Sequence, residues 1–218
     1  MERALVSQPS KPLLRGVSHE IAAWLALGAA VTLALAAPAG RSRLSAVVYG
    51  ASLFSLFAVS ALYHRPNWAP RARLWMRRLD HSAIFLLIAG TYTPFCLLLG
   101  GATGRTMLAV AWAGAAAGVL QSILWVRAPK PLVAALYVLL GWVVVPVVPA
   151  LRAALGTGAL ALLATGGLLY TLGAVVYASR RPDPLPRVFG YHEVFHGLVI
   201  AAAACHFAVV AGAVRAIG

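Results

Sequence analysis

Residues 132–151 read LVAALYVLLGWVVVPVVPAL, a stretch without one charged side chain. At about 1.5 Å of rise per residue, a helix of this length spans about 30 Å, the thickness of a bilayer's hydrocarbon core. A helix satisfies its own backbone in lipid, where an open sheet edge does not. The same reading recurs along the chain: runs free of Lys and Arg also fall at 17–37, 44–63, 81–100, 107–126, 157–178 and 190–213. The sequence therefore predicts an all-α fold, a seven-transmembrane helix bundle forming a single integral membrane domain over 1–218.

Composition agrees. Of 218 residues, 61% are apolar or aromatic and 11% are charged, whereas a soluble domain is nearer a quarter charged. Too few polar side chains remain to cover a water-soluble globule. This excludes an ordinary soluble enzyme, a disordered chain and a disulfide scaffold. Cys96 and Cys205 both lie inside apolar runs and do not read as a disulfide. Met1–Gly16 is too polar to read as a cleaved signal peptide. Pro94, Pro146 and Pro149 fall within spans, where neighbouring helices must satisfy the freed carbonyls. Small-residue clusters such as Gly28-Ala29-Ala30 suit close packing of helices in lipid.

The net charge is +13, and its distribution sets an orientation. Arg3, Lys11, Arg15, Arg65, Arg71, Arg73, Arg77, Arg78, Arg127, Lys130, Arg180, Arg181 and Arg187 fall in the N-terminal segment and the even-numbered loops. Only Arg41, Arg43, Arg105, Arg152 and Arg215 fall on the other side. The positive-inside rule then expects a cytoplasmic N-terminus and an outside C-terminus. The surplus is read as topology and attraction to anionic lipid, not as a nucleic-acid surface.

Ionisable groups at membrane depth are costly and are candidates for function. His64 ends span 2, Asp80 and His81 open span 3, and His192, Glu193 and His196 open span 7. His19 and Glu20 open span 1, and His206 lies deeper in span 7. Under the expected orientation His64, Asp80, His192 and His196 share the cytoplasmic leaflet. His192 and His196 stand four apart and project from one helical face. With His64 they offer three imidazoles, and three protein ligands leave a fourth position for water, as in a catalytic zinc site. Asp80 is the candidate to take that water's proton. Ser60, one turn before His64, is the candidate to orient a ligand or a substrate oxygen. His206 sits about 15 Å from His196 along the helix, too far to join the same ion. It reads as a buried, hydrogen-bonded histidine, and His81 as a structural group.

His192-Glu193-Val194-Phe195-His196 also matches H-E-x-x-H, in which the glutamate of a metalloprotease is the general base. Two features weigh against that reading. His64 supplies a third imidazole that such a protease does not need, and Glu193 sits about 100° around the helix from His192.

The chain resembles the hemolysin III branch of the progestin and adiponectin receptor family. The resemblance rests on Leu14-Arg15-Gly16-Val17-Ser18-His19, Tyr49-Gly50-Ala51-Ser52-Leu53 and Ser60-Ala61-Leu62-Tyr63-His64. It continues through Leu79-Asp80-His81, Ala89-Gly90-Thr91-Tyr92-Thr93-Pro94, His192-Glu193-Val194-Phe195-His196 and Cys205-His206-Phe207. It implies a zinc ion held near the cytoplasmic face by His64, His192 and His196, with Asp80 holding the zinc-bound water and Ser60 beside the site. It also implies membrane-lipid homeostasis in a bacterial cell membrane, with hydrolysis of a lipid amide or ester, ceramidase-like, as the expected chemistry. The expected partners are membrane lipids and a lipid substrate. The alternative is a non-enzymatic membrane sensor or regulator with a structural zinc, or a haemolytic pore. Spans 4 to 6 offer no continuous polar stripe for a wide pore.

Overall fold

A computed structural model describes residues 11–217; Arg3, counted above, lies outside them. The helices are α1 (Val17–Ala36), α2 (Arg41–His64), α3 (Pro70–Leu99) and α4 (Gly101–Leu124). The fifth crossing comprises α5 (Lys130–Gly141), a 3-10 segment (Trp142–Val147) and α6 (Val148–Leu155). Then come α7 (Thr157–Ser179) and α8 (Tyr191–Ala216). Seven crossings are long and apolar enough to span a bilayer, and the described residues contain no strand.

Two boundaries differ from the sequence reading. Helix α3 begins at Pro70 rather than near 81, so Arg71, Arg73, Arg77 and Arg78 stand on a helix and not in a loop. Pro70 occupies the first turn, where its missing N–H is not needed. The residues after it include Arg, Ala, Leu and Met, which form helices readily. Helix α4 likewise starts at Gly101, six residues before its expected start.

The fifth crossing is not a continuous α-helix. In α geometry, the rings of Pro146 and Pro149 would crowd the carbonyls of Trp142 and Val145 and leave them without donors. The backbone instead tightens to 3-10 geometry across Trp142–Val147. Tyr92 of α3 supports this junction, its hydroxyl donating to the Gly141 carbonyl at 2.8 Å with the Leu140 carbonyl at 3.2 Å.

The main core is built from α2, α3 and α8, with Tyr49, Phe57, Leu87, Phe95, Val210 and Val214 all buried. Helix α1 packs closely on α2: a Cβ at Gly50 would lie 2.6 Å from the Ala30 Cβ. Large apolar side chains also cover the outside; Trp24 is 71% exposed and Leu35 77%. Such an apolar exterior belongs in lipid.

Backbone bonds gather the chain at one end of the bundle. The Leu13 and Leu14 N–H groups donate to the Arg187 and Val188 carbonyls at 3.0 and 3.1 Å. The N-terminal segment thus crosses the loop before α8, at the end where α2 finishes and α3 and α8 begin. At the opposite end, the Ser42 hydroxyl donates to the Val214 carbonyl.

Candidate metal centre

His64 is the last residue of α2, and His192 and His196 occupy the first turns of α8. Their ligand atoms all lie within 4.8 Å of one another. The Nε2 atoms of His64 and His192 are 3.0 Å apart. Two nitrogens on one tetrahedral zinc, each about 2.05 Å from it, would be about 3.3 Å apart. All three rings are buried, His196 to 1% exposure. His196 Nδ1 is also buried without a hydrogen-bond partner, an exception that calls for an explanation in a native structure. The donor set and its spacing fit a zinc ion.

The three imidazoles are fixed from different directions. His192 and His196 are held by the helical repeat of α8. His64 sits under the turn that enters α1: Gly16 has φ +81°, and a Cβ there would fall 2.8 Å from the His64 Cβ. Glycine is required on both counts, conformation and close approach.

Glu193 is not placed as a general base. Its Oε2 accepts the Gly190 N–H at 2.8 Å, and its Oε1 is paired with Arg15 Nε. The carboxylate therefore caps α8 and secures the N-terminal segment. At 2% exposure it reaches neither solvent nor lipid headgroups, and it does not line the cavity described below. The H-E-x-x-H spacing is present here without its protease geometry.

Asp80 is not one of the converging ligand atoms, but it lines the same cavity as the three histidines. The buried Ser60 lines the same cavity. This places an acceptor beside the three rings without adding it to them. His81 also lines the cavity, and its backbone carbonyl accepts from the Tyr137 hydroxyl at 3.4 Å. His206 lies at a distance from the three rings, its Nε2 3.1 Å from the Leu163 carbonyl, as a hydrogen-bonded histidine.

The cavity has a volume of about 410 Å³, within the range of small-molecule sites. It runs from the histidine end past Leu87, Val144, Val148 and Leu163 towards His206. Its inner walls are chiefly apolar, aliphatic side chains with Tyr92, Phe95, Trp142 and Tyr170 among them.

The sequence reading missed His19 as part of this cluster. Its ring stacks on that of His196 with centroids 3.6 Å apart and planes 10° from parallel. Both of its ring nitrogens are buried without partners. The available signal was a histidine opening span 1 at the same end as the others. Lys11, Arg15 and Lys130 also line the cavity, which their positions in the sequence do not reveal.

Comparison with known proteins gives a consistent result. The family described as Haemolysin-III related matches residues 7–207. Hemolysin-3 of Bacillus cereus is 34% identical over 199 residues, covering 89% of this chain and 88% of its own. The Hemolysin-3 homolog of Bacillus subtilis (strain 168) is 31% identical over 199 residues, covering 89% and 90%. Monocyte to macrophage differentiation factor of Homo sapiens is 29% identical over 173 residues, covering 76% and 68%.

Proposed function

The chain belongs to the haemolysin-III related family of multi-pass membrane proteins, and from that premise we propose that it is a zinc-dependent hydrolase of a lipid amide or ester. The observation that carries the reading is the convergence of three buried imidazoles, His64, His192 and His196, at the head of an apolar cavity that also holds Asp80. We further propose that the histidine end faces the cytoplasm, as the charge count favours, and that the host membrane is a bacterial plasma membrane.

Zinc in this site would supply a Lewis acid and bring the pKa of a water towards about 7. The protein's own groups do the rest. Asp80 takes a proton from a water in the cavity and returns it to the departing amine or alcohol. Ser60, which lines the same cavity, is the group to hold the carboxylate or a substrate oxygen in place. The aliphatic walls receive the acyl chain, which then need not enter water. Among the described residues three protein ligand atoms converge, not four. That number favours an open, reactive position over a closed structural site and weighs against a sensor with a purely structural zinc.

The test is hydrolysis of a panel of lipid amides and esters by the purified protein in nanodiscs. Activity that a chelator abolishes and added zinc restores is the expected result. A zinc-loaded protein inert towards the whole panel would overturn the hydrolase reading. Leakage of loaded vesicles on adding the protein would point to the pore instead.

A further inference from the structure

The cavity has two unlike ends, and the chemistry of its mouth bears on what enters. Lys11, Arg15, Arg73, Arg77 and Lys130 all line it. They come from the N-terminal segment, α3 and the start of α5, so three separate parts of the chain bring cations to one end of the cavity. Arg71, Arg180, Arg181 and Arg187 belong to the same end of the bundle but do not line the cavity. A rule of membrane topology asks only that cations lie on one side. It does not ask that five of them face one chamber.

The acids do not balance them. Arg15 is paired with Glu193. Among the described residues, Lys11, Arg73, Arg77 and Lys130 form no salt bridge to a carboxylate. Asp80 is the one carboxylate lining the cavity among the described residues. Two of the cations are instead held by neutral groups that leave their charge uncancelled. Lys11 Nζ donates to the Pro66 carbonyl at 2.7 Å and lies 3.3 Å from the His64 carbonyl. Lys130 Nζ donates to the Tyr191 hydroxyl at 2.9 Å and stands 4.5 Å from the Tyr177 ring centroid. Cations crowded in this way are stabilised by an anion.

We propose that the cavity binds an acylated lipid whose headgroup is anionic, a phosphate or carboxylate, with the headgroup on the cationic mouth and the acyl chain along the aliphatic interior. This rests on the hydrolase reading and narrows its substrate class. His64 and His192 lie on the cavity wall with the collar: Lys11 touches the His64 backbone, and Lys130 touches Tyr191, the neighbour of His192. The bond joining an anionic head to its chain therefore lies at the depth of the three imidazoles. A neutral headgroup leaves the same cations without a counterion.

The experiment measures binding, with cleavage of the same two lipids read beside it. Full-length protein in phosphatidylcholine nanodiscs is titrated with a monoacyl glycerophosphate, with the monoacylglycerol of the same chain, and with inorganic phosphate. The phosphate-bearing lipid is expected to bind at least about tenfold more tightly than its neutral twin, the effect of one charge-assisted contact. Added salt narrows the gap. Arg73→Gln with Lys130→Gln closes it while leaving zinc content and monoacylglycerol binding unchanged. Equal affinity for the two lipids in the unaltered protein, or a gap that survives both salt and the double variant, overturns the proposal. Inorganic phosphate binding as tightly as the lipid overturns it in favour of a simple anion site. Selective binding without cleavage leaves the proposal standing and removes the hydrolase reading. Cleavage of the neutral lipid as fast as the anionic one does the reverse.

Discussion

Asp80 and Glu193 are both carboxylates at the histidine end, and their surroundings assign them different work. Glu193 is engaged on both oxygens, by the Gly190 N–H and by Arg15. Asp80 lines the cavity, as does Ser60. Asp80→Asn keeps the shape and removes the proton acceptor, so it should lower hydrolysis by about 10²- to 10⁴-fold with zinc content unchanged. Metal analysis beside an activity assay checks both halves; loss of zinc together with activity would make Asp80 a ligand instead. Glu193→Gln should behave in the opposite way. It weakens a cap and leaves Arg15 without its counterion, destabilising the protein by about 1 to 3 kcal/mol, read as a lowered melting temperature in detergent. Zinc binding should survive at low temperature. Which acid did which task was not legible in the sequence. The H-E-x-x-H spacing draws attention to Glu193, and only the fold reveals that an arginine at position 15 reaches it. The histidine pair, by contrast, was legible, because four-residue spacing on a helix fixes a shared face without reference to the rest of the molecule.

At the scale of elements, what was legible was what lipid enforces. Each apolar run must be a helix, because no other local structure satisfies its backbone there. The runs mark only the part of each helix that contacts lipid, so α3 was placed eleven residues late. Its arginine-bearing first turns extend beyond the apolar run, where hydropathy carries no signal. The break in the fifth crossing had a visible cause in Pro146 and Pro149, yet its form depends on Tyr92 from another helix. Tyr92→Phe should destabilise the bundle by about 1 kcal/mol, as hydrogen-bond loss does, with no change in zinc stoichiometry; thermal unfolding in detergent measures it. The turn into α1 couples more directly to the site. Gly16→Ala places a side chain at positive φ and against the His64 Cβ, at a cost of about 1 to 3 kcal/mol. It should weaken zinc affinity as well as stability, whereas Gly28→Ala, which meets open space, should do neither. Competition with a zinc-binding dye separates the two cases.

Taken whole, the molecule is a bundle with an apolar exterior and a cavity whose polar groups gather towards one end. Seven crossings put the N-terminal segment and the end of α8 at opposite ends of the bundle, and the proposed orientation, which rests on the charge count, puts the first in the cytoplasm. Reporter fusions or membrane-impermeant labelling of single cysteines at 12 and at 216, an exposed position, should find position 12 protected and 216 reactive in intact cells. The reverse would put the site on the outer face. A pH dependence follows from the ligand set. An imidazole must be neutral to bind zinc, and its ordinary pKa is about 6.5. Zinc retention should therefore be full at neutral pH and fall as the pH drops into the acid range, with hydrolysis falling alongside. The cavity itself was not legible in the sequence, since it arises from how α1, α2, α3, α5, α7 and α8 stand around one another.

The proposed function depends on His64, His192 and His196 together holding one zinc ion. It is tested most directly by elemental analysis of the purified, folded protein alongside His64→Ala and His192→Ala. About one zinc per chain is expected in the unaltered protein and close to none in either variant. A folded protein that takes up no zinc, or variants that retain a full complement, would contradict it.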